Sequence, residues 1–196
     1  MKVIDAIVKF DMGFDPVLID RSIQFVEKFG QPMRVGHLQH NRVDENIRKV
    51  NGISLDSLEI KTPEDVSKHA MYKFISHHIH KYIVMYASKF PFFRDTYPNP
   101  FVNQIDILKY FENGKYTAHV DESTETSRSV TVVLNLNDEY EGGDFIFFNP
   151  TKKTEIIHRE KLKKGSILFF PSNFLYGHSV EPITKGTRYS IVSWIT

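Results

Sequence analysis

The chain has 196 residues, 41% of them hydrophobic, no cysteine, and 25 Lys and Arg against 24 Asp and Glu. That length suits one globular domain able to bury roughly 70% of its unfolded surface. The missing cysteine excludes disulfides, zinc–thiolate sites and a cysteine nucleophile, and the near-neutral charge leaves no broad basic footprint for nucleic acid or an anionic membrane.

The opening run, Met1 to Asp11, is interrupted by charge too often for a signal peptide, and no run approaches membrane-spanning length, so a cytoplasmic location is expected. Residues 15 to 29 predict an amphipathic helix, with Asp15 as cap, Pro16 at its first position and Gly30 just past its end. Residues 31 to 61 read as loop-rich with a short strand or two. A second helix is predicted from Pro63 to about Lys89 after Thr62 as cap, with Val66, Ala70, Phe74, Ile75, Ile79, Ile83 and Tyr86 as its apolar positions.

From Phe101 onward short β-type runs are broken by Gly and Pro. These are Val102 to Phe111, Tyr116 to Val120, Val130 to Leu136, Phe145 to Phe148, Ile156 with Ile157, Ser166 to Phe170, His178 to Glu181 and Tyr189 to Ile195. Lys152 and Lys153 read as a solvated turn. Eight such strands predict a mainly β fold with flanking α, a double-stranded β-helix (jelly roll, cupin-like) buttressed by N-terminal helices. The expected organisation is a single domain over 1–196, with a helical support region in 1–100 and a jelly-roll catalytic core in 101–196.

Chemistry concentrates in the second half. If Tyr116 to Asp121 is extended, His119 and Asp121 sit at i and i+2 and converge on one point. His178, after the apolar run Ile167 to Phe170, would come from a facing strand. Two imidazoles and a carboxylate on three adjacent vertices form a facial triad, which leaves open positions on a non-haem Fe(II) for a bidentate cosubstrate and dioxygen. With Gly177 to Glu181 and Thr187 to Trp194 as strands joined through 182–186, Arg188 lies one cosubstrate length from the metal. Its planar fork suits the far carboxylate of a dicarboxylic keto acid. Ser190, two residues on, faces the same way and can add a hydroxyl.

The motifs Lys109-Tyr110-x-x-x-Gly114-x-Tyr116-x-x-His119-x-Asp121, Arg128-x-Val130-Thr131, Leu136-Asn137, Gly142-Gly143-Asp144, Lys164-Gly165-Ser166, Phe170-Pro171, His178-x-Val180 and Gly186-x-Arg188-x-x-x-x-x-Trp194 stand in one order. In that order they resemble the catalytic core of the Fe(II)- and 2-oxoglutarate-dependent oxygenases, most closely the prolyl 4-hydroxylase-like branch, over about half the chain. The resemblance implies His119, Asp121 and His178 as iron ligands and Arg188 as the 2-oxoglutarate anchor. Tyr110 takes the position of a cosubstrate-binding tyrosine, and Thr131 that of a hydroxyl lining the same pocket. Collagen-type members carry Lys at the position of Arg188, and Asn135 stands where oxygen-sensing members have a second cosubstrate-binding tyrosine. Trp194, Tyr116 and Asn135 are expected at the substrate pocket.

The implied cofactors are Fe(II), 2-oxoglutarate and O2, with ascorbate as an accessory reductant. The implied reaction is hydroxylation of a prolyl residue in a protein or peptide, with release of succinate and CO2. Three alternatives stand beside it: the same chemistry on a free amino acid, another side chain or a small molecule; nucleic-acid demethylation, disfavoured because that branch carries a further Arg where Trp194 stands; and a non-catalytic jelly-roll binding protein. His77, His78 and His80 read as helix surface rather than a second metal site, and Tyr116 as cross-strand packing. Residues 31 to 61 and the run Glu122 to Ser127 are expected to be mobile elements over the pocket.

Overall fold

The computed structural model describes residues 2–11, 13–33, 44–55, 60–124 and 127–196. Parts of both expected mobile elements, 34–43, 56–59 and 125–126, therefore lie outside the described residues.

In the first half, β1 (Val8–Phe10) precedes α1 (Pro16–Phe29), and three short strands follow: β2 (Gln31–Pro32), β3 (Arg48–Lys49) and β4 (Asn51–Leu55). Next come α2 (Pro63–Lys89) and a one-turn α3 (Pro91–Thr96) that sequence periodicity does not reveal. Both long helices begin where their caps dictate. The Asp15 carboxylate accepts from the Val17 N–H at 2.8 Å ahead of Pro16, and Thr62 and Asp65 form a reciprocal capping box ahead of Pro63. The buried stripe of α2 runs through Met71, Tyr72, Ile75, Ile79, Tyr82, Ile83 and Tyr86, whereas Val66 and Phe74 face solvent. Those two were expected on the apolar face, as was the exposed Ala70, but all three lie roughly 140° or more around the helix from Ile79 in the buried stripe.

The remaining strands are β5 (Val102–Tyr110), β6 (Lys115–His119), β7 (Val130–Asn135), β8 (Tyr140–Gly142), β9 (Phe145–Asn149), β10 (Lys152–Glu160), β11 (Ile167–Pro171), β12 (His178–Val180), β13 (Ile183–Gly186) and β14 (Arg188–Ile195). They build two antiparallel sheets, ordered β1-β11-β7-β14-β5-β4-β2 and β10-β9-β12-β6-β3, plus a β13-β8 ribbon. This is the jelly roll. Two readings need correction. Lys152 and Lys153 open a nine-residue strand, and residues 183–186 pair with β8 instead of forming a loop. In both cases the strand is largely exposed and lacks the apolar run that marks the others.

Central strands of the larger sheet are buried on both sides, which is why they read as nearly unbroken apolar runs. Ile105 and Ile107 of β5, Val132 and Leu134 of β7 and Ile167 and Phe169 of β11 pack beneath α1 and α2. Leu108, Tyr110, Val133, Leu168 and Phe170, at the alternate positions, face the second sheet together with Phe145, Phe147 and Val180. The helices thus brace one face and leave the other to form the interior of the roll. No helix among the described residues is long and apolar enough to cross a membrane.

Candidate metal centre and its cavity

His119 is the last residue of β6, and His178 is the first of β12. The two strands pair antiparallel with these residues directly opposite, which brings the imidazole centroids to 4.3 Å. Asp121 lies just past the end of β6, contrary to the expected continuous strand, yet its carboxylate still reaches both rings: 3.5 Å from His119 Nε2 and 3.5 Å from His178 Nε2. The ligand atoms all fall within 4.8 Å of one another, the sole such cluster of His and carboxylates among the described residues. His77, His78 and His80 form none.

Each imidazole is aimed. His119 Nδ1 lies 2.8 Å from the Thr117 carbonyl and His178 Nδ1 2.9 Å from the Tyr176 carbonyl. A carbonyl can only accept, so Nδ1 carries the hydrogen and Nε2 presents a lone pair to the centre. Tyr116 stacks on His119 at 3.6 Å, and Phe145 stacks on His178 at 5.1 Å. Asp121 is oriented by Thr131, whose hydroxyl donates to Oδ2 at 2.7 Å and meets Ser172 Oγ at 2.8 Å.

Burial alone would push the Asp121 carboxyl up, but the His178 and His119 imidazoles and the Thr131 hydroxyl hold it well below the usual carboxylate range. Burial presses His178 down to about 4, with neighbouring His119 adding to the effect and Asp121 opposing it. An ionised carboxylate and a neutral imidazole are the forms that bind a divalent metal. The donor set, its open side and its fixed tautomers fit ferrous iron.

A cavity of about 480 Å³ opens from the triad along the inner face of the larger sheet, past Thr131, Val133, Leu108 and Tyr110. Arg188, Ser190 and Asn135 continue that face beyond the cavity lining. Register explains the grouping: Arg188 pairs with Tyr110, Ser190 with Asn135 and Trp194 with Thr131. The Arg188 guanidinium lies 5.4 Å from the Tyr110 ring, and its Nε donates to Asn135 Oδ1 at 3.0 Å, an atom that also accepts from the Tyr140 hydroxyl at 3.3 Å. Arg188 and Ser190 are each about 1% exposed, and Ser190 Oγ has no hydrogen-bond partner among the described residues. A buried guanidinium beside an unpartnered hydroxyl fits a carboxylate.

The turn Gly142-Gly143 packs against this end. Both residues have positive φ, and a Cβ on Gly143 would meet Ile183 Cδ1 at 2.5 Å and Arg188 Cδ at 3.3 Å.

Tyr116 and Trp194 line the cavity near the triad, as do Arg48, Asp106, Gln104, Ser54 and Arg128. Of this second group only Arg128 stands among the sequence motifs. Asp106 carried a signal, a carboxylate between the apolar residues Ile105 and Ile107 in the middle of a strand. Ser54 and Gln104 donate to it at 2.7 and 2.8 Å, and Arg48 Nη2 lies 3.9 Å away.

The sequence profile described as the 2OG-Fe(II) oxygenase superfamily matches residues 105–196, the span that holds the triad, Arg188 and most of the cavity wall. Over that span the chain matches the 2OG-Fe(II) oxygenase superfamily. Fe(II), 2-oxoglutarate and O2 are that superfamily's cofactor and cosubstrates, and the His119–Asp121–His178 cluster is its kind of metal site. A PKHD-type hydroxylase of Idiomarina loihiensis is 30% identical over 98 residues, 48% of this chain and 42% of that protein. The chain spans about half the length of the curated relatives it matches. Among solved structures, the fold is similar to a Trichoplax adhaerens prolyl hydroxylase in complex with a hypoxia-inducible factor peptide fragment (TM-score 0.70, 16% identity, 97% of this chain and 83% of that one). It is also similar to a Pseudomonas putida prolyl-4-hydroxylase (TM-score 0.62, 18% identity, 98% and 96% of the two chains).

Proposed function

We propose that this protein hydroxylates a prolyl residue in a protein or peptide, with His119, Asp121 and His178 holding the iron and Arg188 anchoring 2-oxoglutarate. The observation that carries the reading is the two-ended inner face: three convergent ligands at one end, a buried guanidinium with an unpartnered serine hydroxyl at the other. Thr131, which orients Asp121, and Asn135, which holds Arg188, are separated by four residues of β7, about 13 Å of strand. Side chains reaching inward from both ends shorten that gap to the length of a small dicarboxylate.

Iron bound at the triad supplies the oxidising chemistry, drawing on dioxygen and on decarboxylation of 2-oxoglutarate. The chain's own residues position and exclude. His119 and His178 give neutral Nε2 donors with Nδ1 tied back to the main chain, and Thr131 keeps one Asp121 oxygen turned inward. Arg188 and Ser190 take the distal carboxylate. Tyr110 lines the cavity with the Arg188 guanidinium 5.4 Å from its ring, which places it in the wall where the cosubstrate would lie. Phe145, Leu108, Val133 and Val192 keep the passage apolar and limit water.

Support for the prolyl substrate comes from the prolyl hydroxylase names of structural neighbours and from the aromatic Tyr116 and Trp194 side chains in the cavity wall beside the triad. The test is a screen of proline-containing peptides against free amino acids, reading succinate release and added oxygen by mass. Peptide hydroxylation matched one for one by succinate is expected. Turnover on free amino acids alone would replace the peptide reading with the small-molecule one.

A further inference from the structure

Charge is unevenly distributed in the cavity. With 2-oxoglutarate and iron in place, Asp121 and the two carboxylates of the cosubstrate offset the metal and Arg188. The other formally charged side chains lining the cavity, among the described residues, are Arg48, Arg128 and Asp106. Arg48 and Asp106 are matched at 3.9 Å. Arg128 forms no close ion pair among the described residues, although the Asp121 and Asp106 carboxylates act on it through space. Its Nη1 donates to the neutral backbone carbonyl of Asp121 at 3.2 Å, and its guanidinium lies over the Trp194 ring at 3.7 Å.

A second observation falls on the same wall. Trp194 is 6% exposed, and its indole Nε1–H has no hydrogen-bond partner among the described residues. An unpartnered buried donor is uncommon, because leaving it without an acceptor carries a desolvation cost. Here two donors stand together beside the metal ligands, one of them charged and stacked on the ring that carries the other.

We infer that the substrate brings a carboxylate into this cavity, received by the Arg128 guanidinium and the Trp194 indole N–H. The inference rests on the reading of the cavity as the substrate site and adds the chemistry of what enters it. An anion placed there restores neutrality to the loaded cavity and satisfies the orphaned donor. The carboxylate can come from an acidic side chain next to the target prolyl residue or from the terminal carboxylate of the prolyl residue itself. Both present the same oxygens to the same two donors.

Trp194 is the only tryptophan in the chain, so its fluorescence reports directly on this wall. The probes are two matched pairs: N-acetyl-prolyl-glutamate amide against N-acetyl-prolyl-glutamine amide, and N-acetylproline against N-acetylprolinamide. Each is titrated anaerobically into protein saturated with Fe(II) and 2-oxoglutarate, and again into metal-free protein. A loss of one charge-assisted hydrogen-bonded contact corresponds to roughly ten- to a hundredfold in affinity, and at least one carboxylate is expected to bind tighter than its neutral partner by that factor. The pair that discriminates identifies the source. The preference should fall to near parity in Arg128→Gln and be partly kept in Arg128→Lys. Equal binding within both pairs, or no perturbation of the indole by either carboxylate, overturns the inference. Failure of the cofactor reading would show separately, as loss of the visible band of the iron–2-oxoglutarate chelate.

Discussion

Thr131 shows how much the triad depends on a residue that is not a ligand. Its hydroxyl is the donor to Asp121 Oδ2, and removing such an orienting group typically weakens metal affinity about 10- to 100-fold. Thr131→Val, close in shape, should therefore lower Fe(II) affinity by that order in a competitive chelator titration, while Thr131→Ser should stay near wild type. Equal affinities in all three proteins would remove Thr131 from the centre. Arg188→Lys keeps the charge and loses the fork, so the dissociation constant for 2-oxoglutarate should rise about tenfold or more. Ser190→Ala should raise it by a smaller factor, about severalfold for one neutral hydrogen bond. Calorimetric titration reads both, and an unchanged constant in Arg188→Lys would refute the anchor assignment.

At this scale the sequence was informative where residue types are rare in combination. A His-x-Asp, a distant His and an Arg ten residues beyond it leave few chemistries open. It was uninformative where a residue gains meaning only from its neighbours in space. Arg48 and Asp106 are 58 positions apart and meet because β3 pairs with β6 while β5 lies across the roll. The unpartnered state of Trp194 Nε1 and Ser190 Oγ exists only in three dimensions.

Among the elements, α1 is tied to the sheet by Glu27. Its carboxylate accepts from Lys109 Nζ at 2.8 Å and from the Tyr189 hydroxyl, so a polar clamp sits at the edge of an otherwise apolar helix face. The Lys109 contact, with the Tyr189 hydroxyl second, holds the Glu27 carboxyl below its ordinary value. A depressed carboxyl stabilises the fold above its unfolded pKa, and that contribution is lost as pH falls through the folded one. Glu27→Gln is accordingly expected to cost up to about 1 kcal/mol at neutral pH, since the group is largely solvated, and to cost nothing in acid below the carboxylate range. Urea denaturation of both proteins at the two pH values measures the gap, and a gap that persisted undiminished in acid would contradict the clamp.

Element boundaries were legible wherever local chemistry fixes them. Asp15-Pro16 and Thr62-Pro63 set both helix starts by capping and by the fixed φ of proline. The strands buried on both faces were legible as apolar runs. β8, β13 and the first part of β10 were not, because they are short or largely solvated and owe their strand geometry to pairing rather than to composition, whereas Ile156 and Ile157 of β10 were read as strand.

For the whole molecule, folding and cofactor loading form one linked equilibrium. The triad and Arg188 lie on β6, β12 and β14 and beside β7, so ligand bound there ties both sheets together. At a ligand concentration a hundred times its dissociation constant the native state gains about 2.7 kcal/mol. In a chain of this size that corresponds to a rise in Tm of roughly 5–10 °C. Mn(II), as a redox-inert substitute, together with 2-oxoglutarate should raise the Tm of the wild-type chain by that order and leave His178→Ala unmoved. A similar rise in both proteins would place the ligands elsewhere.

The central claim is that one iron and one 2-oxoglutarate share the face between His119 and Arg188. An anaerobic titration of the chain with Fe(II) and then 2-oxoglutarate tests it most directly through the visible metal-to-ligand charge-transfer band of the chelate. The band should grow to one equivalent of 2-oxoglutarate, vanish in Asp121→Ala and require a higher concentration in Arg188→Lys. Metal binding with no band at any 2-oxoglutarate concentration would contradict the account and leave the chain a metal-binding jelly roll without this cosubstrate.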